Sequence, residues 1–185
     1  PPTQGQVLYD GRDIAQMKKK ELLQLRREMG MLFQGSALFD SMTVFENVMF
    51  PMEMFSHESD AANRKRAKML LERVGLQEAG RKYPSEISGG MMKRTAIARA
   101  LALNPRYLFC DEPNSGLDPK TSKVIDLLIQ ELTREYGITT IINTHDMNTV
   151  RSIGDKIIYV HHGEKAWEGT SAESQVSIAK SDILV

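Results

Sequence analysis

The feature that most constrains the fold is the alternation of short β-branched or apolar runs with helical stretches between Tyr107 and Glu168. Tyr107–Cys110 reads as a strand. Pro119–Tyr136 reads as a helix, with Asp118 as its cap, Pro119 at its first position and Gly137 as its stop. Thr139–Asn143 is a β-branched strand, Asp146–Ile153 a short helix and Lys156–Val160 a further strand, after which His162-Gly163 turns the chain toward Lys165–Glu168 as a hairpin partner. Strands separated by helices of this length need crossover connections, which predicts an α/β protein with a parallel sheet.

Upstream the pattern changes. Gln6–Tyr9 is a predicted strand ended by the Asp10-Gly11 turn, and Ile14 to Met29 a helical stretch with a basic cluster at Lys18–Lys20. Met31-Leu32-Phe33 is too short a run for a helix and reads as a buried strand. Asp60 is the expected cap of a helix carrying Ala67, Leu70, Leu71 and Val74 at helical spacing, with Gly75 as its stop. Ser88 to Leu103 forms the next helix, ended by Asn104-Pro105. From roughly Asp40 to Asn104 the chain is mainly helical and interrupts the strands, as an inserted helical subdomain would. The expected division is 1–36, 37–104 and 105–185.

Composition limits the partners more than the fold. The 24 basic and 24 acidic residues cancel, so no global field favours nucleic acid or an anionic membrane. No run approaches the roughly 18–20 apolar residues of a membrane span. The opening PPTQGQ lacks the basic start and apolar core of a signal peptide. A single cysteine, Cys110, excludes an internal disulfide and suits a reducing compartment.

The polar residues fall at the ends of the predicted strands. In YLFCDEP (Tyr107 to Pro113) two carboxylates, Asp111 and Glu112, follow a buried strand. Ligands of open parallel sheets bind beyond such carboxyl ends. One carboxylate there can hold a hydrated Mg²⁺ while the other polarises a water; a strand ending in a solvated acidic turn would read the same. TTIINTHD (Thr139 to Asp146) places His145 at the end of the next strand, either as a surface or capping residue or as a donor to a phosphate oxygen. Gln34 ends the Met31–Phe33 run and is uninformative by itself. The stretch ISGGMMKRTAIARAL (Ile87 to Leu101) puts two glycines at a helix start, where each lowers helix propensity by roughly 1 kcal/mol. Ser88-Gly89-Gly90 there is either an anion site, with bare amides at the positive end of the helix dipole, or a Gly-rich turn with an ordinary serine cap.

Taken in order, these pieces resemble the nucleotide-binding subunit of an ABC transporter over about residues 5 to 170. Gln34 is similar to the Q-loop, Ile87-Ser88-Gly89-Gly90-Met91 to the LSGGQ signature, and Tyr107 to Glu112 to the Walker B strand with its catalytic glutamate. Ser115-Gly116-Leu117-Asp118 resembles the D-loop and His145 the switch histidine. The implied fold is the P-loop NTPase core, RecA-like and ABC-type, with an inserted helical subdomain. GMLFQGSALFDSMTVFENVMFP (Gly30 to Pro51) and SGGMMKR look most like the ATPase of Mla-type phospholipid transport systems of Gram-negative bacteria. The signature departs from the family pattern at Ile87, for leucine, and at Met91, for glutamine. A P-loop, G-x-x-x-x-G-K-[ST], occurs nowhere in the 185 residues. The resemblance therefore implies a chain beginning downstream of its P-loop strand, with a gap in the sheet. The apolar Ile183-Leu184-Val185 finish suggests a cut end there too.

The resemblance further implies two ATPase subunits closing head-to-tail around two ATP molecules, at the cytoplasmic face of the inner membrane, with no nucleic-acid partner. Asp111 would hold Mg²⁺ through water with Gln34 as a weak ligand, Glu112 would be the general base and His145 would contact the γ-phosphate. Ser88, Gly89, Gly90 and Met91 would meet the partner's nucleotide, and Ser115, Gly116 and Asp118 would lie at the same junction. Met91 is expected to face the dimer junction and Met92 to pack into the helical subdomain. Phe39, Met42, Val44, Phe45, Met49, Phe50, Met52, Met54 and Phe55 are expected to contribute to a socket for a transmembrane permease. The alternatives are a soluble ABC-type ATPase of DNA repair or translation, and a non-catalytic fragment. Against the first stand the short 35–86 segment, the absence of a CxxC pair and the single cassette. The second rests on the missing P-loop, which predicts no ATP hydrolysis by the 185-residue chain alone.

Overall fold

The computed structural model describes residues 2–173; the Ile183-Leu184-Val185 terminus lies outside them. The chain opens with a hairpin in which β1 (Leu8–Tyr9) pairs antiparallel with β2 (Arg12–Asp13). The turn between them places both Asp10 (φ 48°) and Gly11 (φ 75°) in the left-handed region, the conformation a two-residue hairpin turn needs. The predicted Ile14–Met29 helix begins later than expected. The Asp13 carboxylate accepts the Ala15 N–H at 2.9 Å and closes a short 3₁₀ turn, Ile14–Gln16, after which Met17 and Lys18 are extended. Helix α1 (Lys19–Arg27) then starts afresh, with Glu21 reaching back to the Lys18 N–H.

Strand β3 (Met29–Leu32) leads through a loop to α2 (Val44–Phe55). A reciprocal capping box starts α2: Thr43 N–H donates to Glu46 Oε2 at 2.7 Å, and Glu46 N–H donates to Thr43 Oγ1 at 3.2 Å. Helix α3 (Asp60–Arg73) is capped by Ser59, one residue before the predicted Asp60, because the Ser59 hydroxyl accepts the Ala62 N–H. Helix α4 (Gly89–Ala100) follows with Ser88 as its cap. The rest keeps the predicted alternation: β4 (Tyr107–Asp111), α5 (Pro119–Tyr136), β5 (Thr139–Asn143), α6 (Met147–Ile153), β6 (Lys156–His161) and β7 (Glu164–Thr170).

Among the described residues the parallel sheet has the order β3-β4-β5, with Leu32 opposite Cys110 and Asp111 opposite Asn143. Strands β6 and β7 form a separate antiparallel hairpin. An open hollow of about 460 Å³ lies between β5, α5, α6 and β6. One contiguous apolar cluster joins Leu32, Leu108 and Cys110 of the sheet to α2 and α3 (Val48, Met52, Leu70), to Ile97 of α4 and to Ile125, Ile129 and Leu132 of α5. Val44, Met49 and Met52, expected at a permease socket, are fully buried in this cluster, since they fall on the face of α2 turned to α3 and α4. Gly30 is where β3 crosses α4 most closely: a Cβ there would collide with the Ala100 carbonyl.

Candidate functional site

Two parallel strands end side by side, and polar groups converge beyond them. The last residue of β4, Asp111, accepts the Asn143 side-chain amide through Oδ1 at 2.8 Å, Asn143 being its partner at the end of β5. The next residue, Glu112, adopts φ 45°, an uncommon conformation for a residue with a side chain. Its N–H donates to the Asn143 carbonyl at 2.9 Å and its carbonyl accepts the Ser115 N–H at 3.2 Å. This backbone turn aims the carboxylate at the segment after β5. Glu112 Oε1 accepts both the His145 N–H at 3.1 Å and His145 Nδ1 at 2.8 Å. An ionised carboxylate only accepts, so the ring proton sits on Nδ1. This hydrogen bond, with the charge of Glu112 behind it, raises the His145 pKa above its ordinary value. The imidazole is otherwise open, 88% exposed, while the Glu112 side chain is 18% exposed.

Gln34 arrives from the end of β3 and donates to Ser115 Oγ at 3.2 Å. Buried Lys93 of α4 ties these strand ends together: its ammonium donates to the carbonyls of Gln34 and Glu112. Burial holds the Lys93 pKa below the usual lysine range. Burial also pushes the Cys110 thiol up to about 12, leaving it a packing residue beneath the site. After Gln34, Ser36 (φ 62°) and Ala37 (φ 49°) are successive left-handed residues, and their carbonyls accept the Arg99 guanidinium at 2.8 and 2.7 Å.

Ser88, Gly89, Gly90 and Met91 form a second group. The Ser88 hydroxyl caps α4 by accepting the Met91 N–H at 3.3 Å. The glycines face the start of α5: a Cβ on Gly90 would stand 2.7 Å from Thr121 Cγ2, and one on Gly89 3.5 Å from Leu117 Cδ2. Close packing of two helix starts is therefore one physical reason for the bare backbone at Gly90. Met91 is half-buried and packs against the apolar cluster. Asp118 caps α5 through the N–H groups of Lys120 and Thr121, and the bonds from Thr121 hold its carboxyl below the usual range. Gly116 takes φ 78° in the turn before it. The structure thus brings Gln34, Asp111, Glu112, Ser115 and His145 together. It gathers Ser88, Gly89, Gly90, Met91 and Asp118 around the neighbouring starts of α4 and α5, and no hydrogen bond joins these residues to Glu112 or His145 among the described residues. The groups that sequence reasoning missed are Lys93, Arg99, Asn143 and Asn114. The first two sit in the helix that follows Ser88-Gly89-Gly90, where no local feature marks them, whereas Asn114 and Asn143 each lie two residues from a predicted site residue, Glu112 and His145.

The sequence profile described as ABC transporter matches residues 1–115. The chain belongs to the ABC transporter family. Its fold is the family's P-loop NTPase type. It superposes on the ATP-binding cassette MJ0796, solved as a dimer in a post-hydrolysis state bound to ADP and Pi, with a TM-score of 0.80 and 36% identity, covering 92% of this chain and 75% of that one. It matches cbiO1 of Clostridium perfringens, part of the ABC transporter complex cbiONQ, with a TM-score of 0.86 and 32% identity, over 96% of this chain and 70% of that one. Among curated relatives, the methionine import ATP-binding protein MetN of Carboxydothermus hydrogenoformans is 44% identical over 168 residues, 91% of this chain and 50% of its own length. The intermembrane phospholipid transport ATP-binding protein MlaF of Haemophilus influenzae is 42% identical over 172 residues, 93% of this chain and 65% of its own length. The chain thus spans about half the length of the methionine import proteins it matches, and the two kinds of relative stand at similar identity. The specific likeness to Mla-type ATPases expected from sequence is not singled out.

Proposed function

We propose that this chain is the hydrolytic part of the ATPase subunit of an ABC transporter, and that Glu112 and His145 work as a pair on the γ-phosphate of ATP. The observation that carries this reading is the junction of β4 and β5, where Asp111 and Glu112 meet His145 at the carboxyl ends of neighbouring parallel strands. Glu112 polarises the attacking water as general base, and the exposed side of the His145 ring contacts the γ-phosphate. Gln34 and Ser115 report that the phosphate is present. The donors at the strand ends are hard oxygens, the Asp111 carboxylate and the Gln34 side-chain carbonyl, which suit a hydrated Mg²⁺. Bound there, Mg²⁺ would supply charge neutralisation for the phosphates.

The separation of the Ser88–Met91 group from Glu112 supports a head-to-tail dimer in which the α4 start of one copy meets the nucleotide held by the other. Gly89, Gly90, Gly116 and Asp118 lie on that junction. The division into 1–36, 37–104 and 105–185 gives the second copy a helical unit to press against. A groove of about 680 Å³ supports a permease partner: Phe33, Phe39, Met54 and Phe55 line it and are each more than 40% exposed. Of these, Phe39, Met54 and Phe55 belong to the expected socket and are not absorbed by the core; Phe33 lies outside that expectation. The subunit sits peripherally at the cytoplasmic face of the inner membrane; no helix among the described residues is long and apolar enough to cross one. We assign phospholipid as the cargo class, on the Gly30–Pro51 resemblance and the MlaF relative; the 44% identity to MetN supports methionine import as the second reading.

The test is a chimera in which residues 1–172 replace the matching segment of Haemophilus influenzae MlaF or of Carboxydothermus hydrogenoformans MetN. Expected is magnesium-dependent ATP hydrolysis that falls by about a hundredfold or more in Glu112→Gln; an unaffected rate in that variant would sink the reading. Assembly with the MlaF-type permease rather than the MetN-type one supports phospholipid cargo, and the opposite result supports methionine. The 185-residue chain alone, which contains no P-loop sequence, is expected to show no turnover.

A further inference from the structure

Beneath the Glu112–His145 contact lies a closed ring of three buried polar side chains from three different elements. Asn114, in the loop after β4, donates its two amide hydrogens to Asp126 Oδ1 of α5 at 2.7 Å and to Thr149 Oγ1 of α6 at 2.8 Å. The Thr149 hydroxyl in turn donates to Asp126 Oδ2 at 3.0 Å. Asn114, Asp126 and Thr149 are 8%, 4% and 1% exposed. Every donor of the ring is placed: two N–H and one O–H meet two carboxylate oxygens and one hydroxyl lone pair, while Asn114 Oδ1 is buried without a hydrogen-bond partner among the described residues. Such a ring needs all three side chains, because removing one leaves buried partners unpaired.

The ring joins the same two chain segments that the surface contact joins. Asn114 is two residues from Glu112, and Thr149 is four from His145, on the helix whose cap is Asp146. Segments 112–114 and 145–149 are thus held twice, at the surface by His145 on Glu112 and inside by Thr149 on Asn114. The outer contact involves a ring 88% exposed, and contacts at that exposure hold little by themselves. The inner one is buried and anchored to the long helix α5.

We propose that Asn114, Asp126 and Thr149 are positioning residues, forming a buried clasp that seats α6 and so sets His145 against Glu112. Their relevance to catalysis rests on the reading of Glu112 and His145 given above; the clasp itself does not. Without it α6 is free to shift on α5, and His145 leaves Glu112 while the core stays folded.

The test uses the 185-residue chain without nucleotide and reads amide hydrogen exchange together with the ¹⁵N shift of His145 Nδ1. Thr149→Val keeps the shape of the side chain and removes its hydroxyl. It is expected to speed exchange at the His145 amide by about tenfold, and to move the Nδ1 shift toward that of an exposed imidazole. The amides of Ile129 and Leu132 should stay protected, and Thr149→Ser should restore both His145 signals. If Thr149→Val does not fold, Asp126→Leu, which removes both carboxylate acceptors, carries the same readout. Wild-type His145 signals in a folded Thr149→Val or Asp126→Leu, or core and His145 amides loosening together without rescue by Thr149→Ser, would overturn the clasp. Glu112→Ala separates the two ideas. If it releases His145 but Thr149→Val does not, the clasp fails and the pair stands. If Glu112→Ala leaves His145 unchanged, the pair fails, and with it the role given to the clasp.

Discussion

His145 Nδ1 stands 2.8 Å from Glu112 Oε1, and the same oxygen accepts the His145 backbone N–H at 3.1 Å. The contact favours the protonated ring and raises its pKa, the hydrogen bond to Glu112 being the largest cause and the negative charges of Glu112 and Asp146 adding to it. Because the folded pKa lies above the unfolded value near 6.5, the contact's contribution to stability is fully present below that pH. It fades as pH rises through the folded pKa. In Glu112→Gln the midpoint of His145, followed by its ring-proton NMR shifts, should fall toward the ordinary histidine value. A midpoint unchanged from the wild type would show that Glu112 is not its partner.

Gly90→Ala sets helix propensity against packing. Alanine gains up to roughly 1 kcal/mol in a helix, but its Cβ would stand 2.7 Å from Thr121 Cγ2. Overpacking of this kind costs about 1–3 kcal/mol, so a net loss is expected in urea denaturation. Adding Thr121→Ser, which deletes that methyl and keeps the hydroxyl that bonds Asp118, should recover most of it.

Asn47 is fully buried in α2 and holds the loop before the helix by its amide alone. Its Oδ1 accepts the Phe39 N–H, and its NH₂ group faces the carbonyls of Phe39, Met42 and Thr43. Asn47→Ala should cost about 2 kcal/mol, the penalty of leaving buried backbone groups unpaired. Asn47→Asp should cost more, since a carboxylate would face those carbonyls without a donor. Urea midpoints and the rate of proteolysis at residues 39–43 check both.

Arg99 holds two left-handed residues, Ser36 and Ala37, by their carbonyls. Arg99→Ala should lower stability by about 2 kcal/mol and expose residues 35–38 to protease. Ala37→Gly in the Arg99→Ala background should return about 1 kcal/mol, because glycine takes φ near +49° without a Cβ penalty. Thermal unfolding of the single and double variants measures the difference.

The sequence by itself determined what depends on near neighbours. Asp118-Pro119 and Gly137 fix the ends of α5 because a capping side chain, a preset proline and a left-handed glycine act within one turn. The β-branched run of β5 and the polar residues after each strand were equally legible, and with them Asp111, Glu112 and His145 as candidates. Local reading failed where a nearby side chain competed, as at Asp13, whose bond to Ala15 delays α1 to Lys19, and at Ser59, which takes the cap assigned to Asp60. What only the tertiary structure decided depends on residues distant in sequence. Met49 and Met52 belong to the core while Met54 and Phe55 stay exposed, because α3 and α4 cover one side of α2. The glycine at position 90 answers to Thr121, and Lys93 answers to the carbonyls of Gln34 and Glu112. Short-range conformational preference sets which elements form, whereas steric contact and the pairing of buried polar groups act between elements and take effect only once the chain has closed on itself.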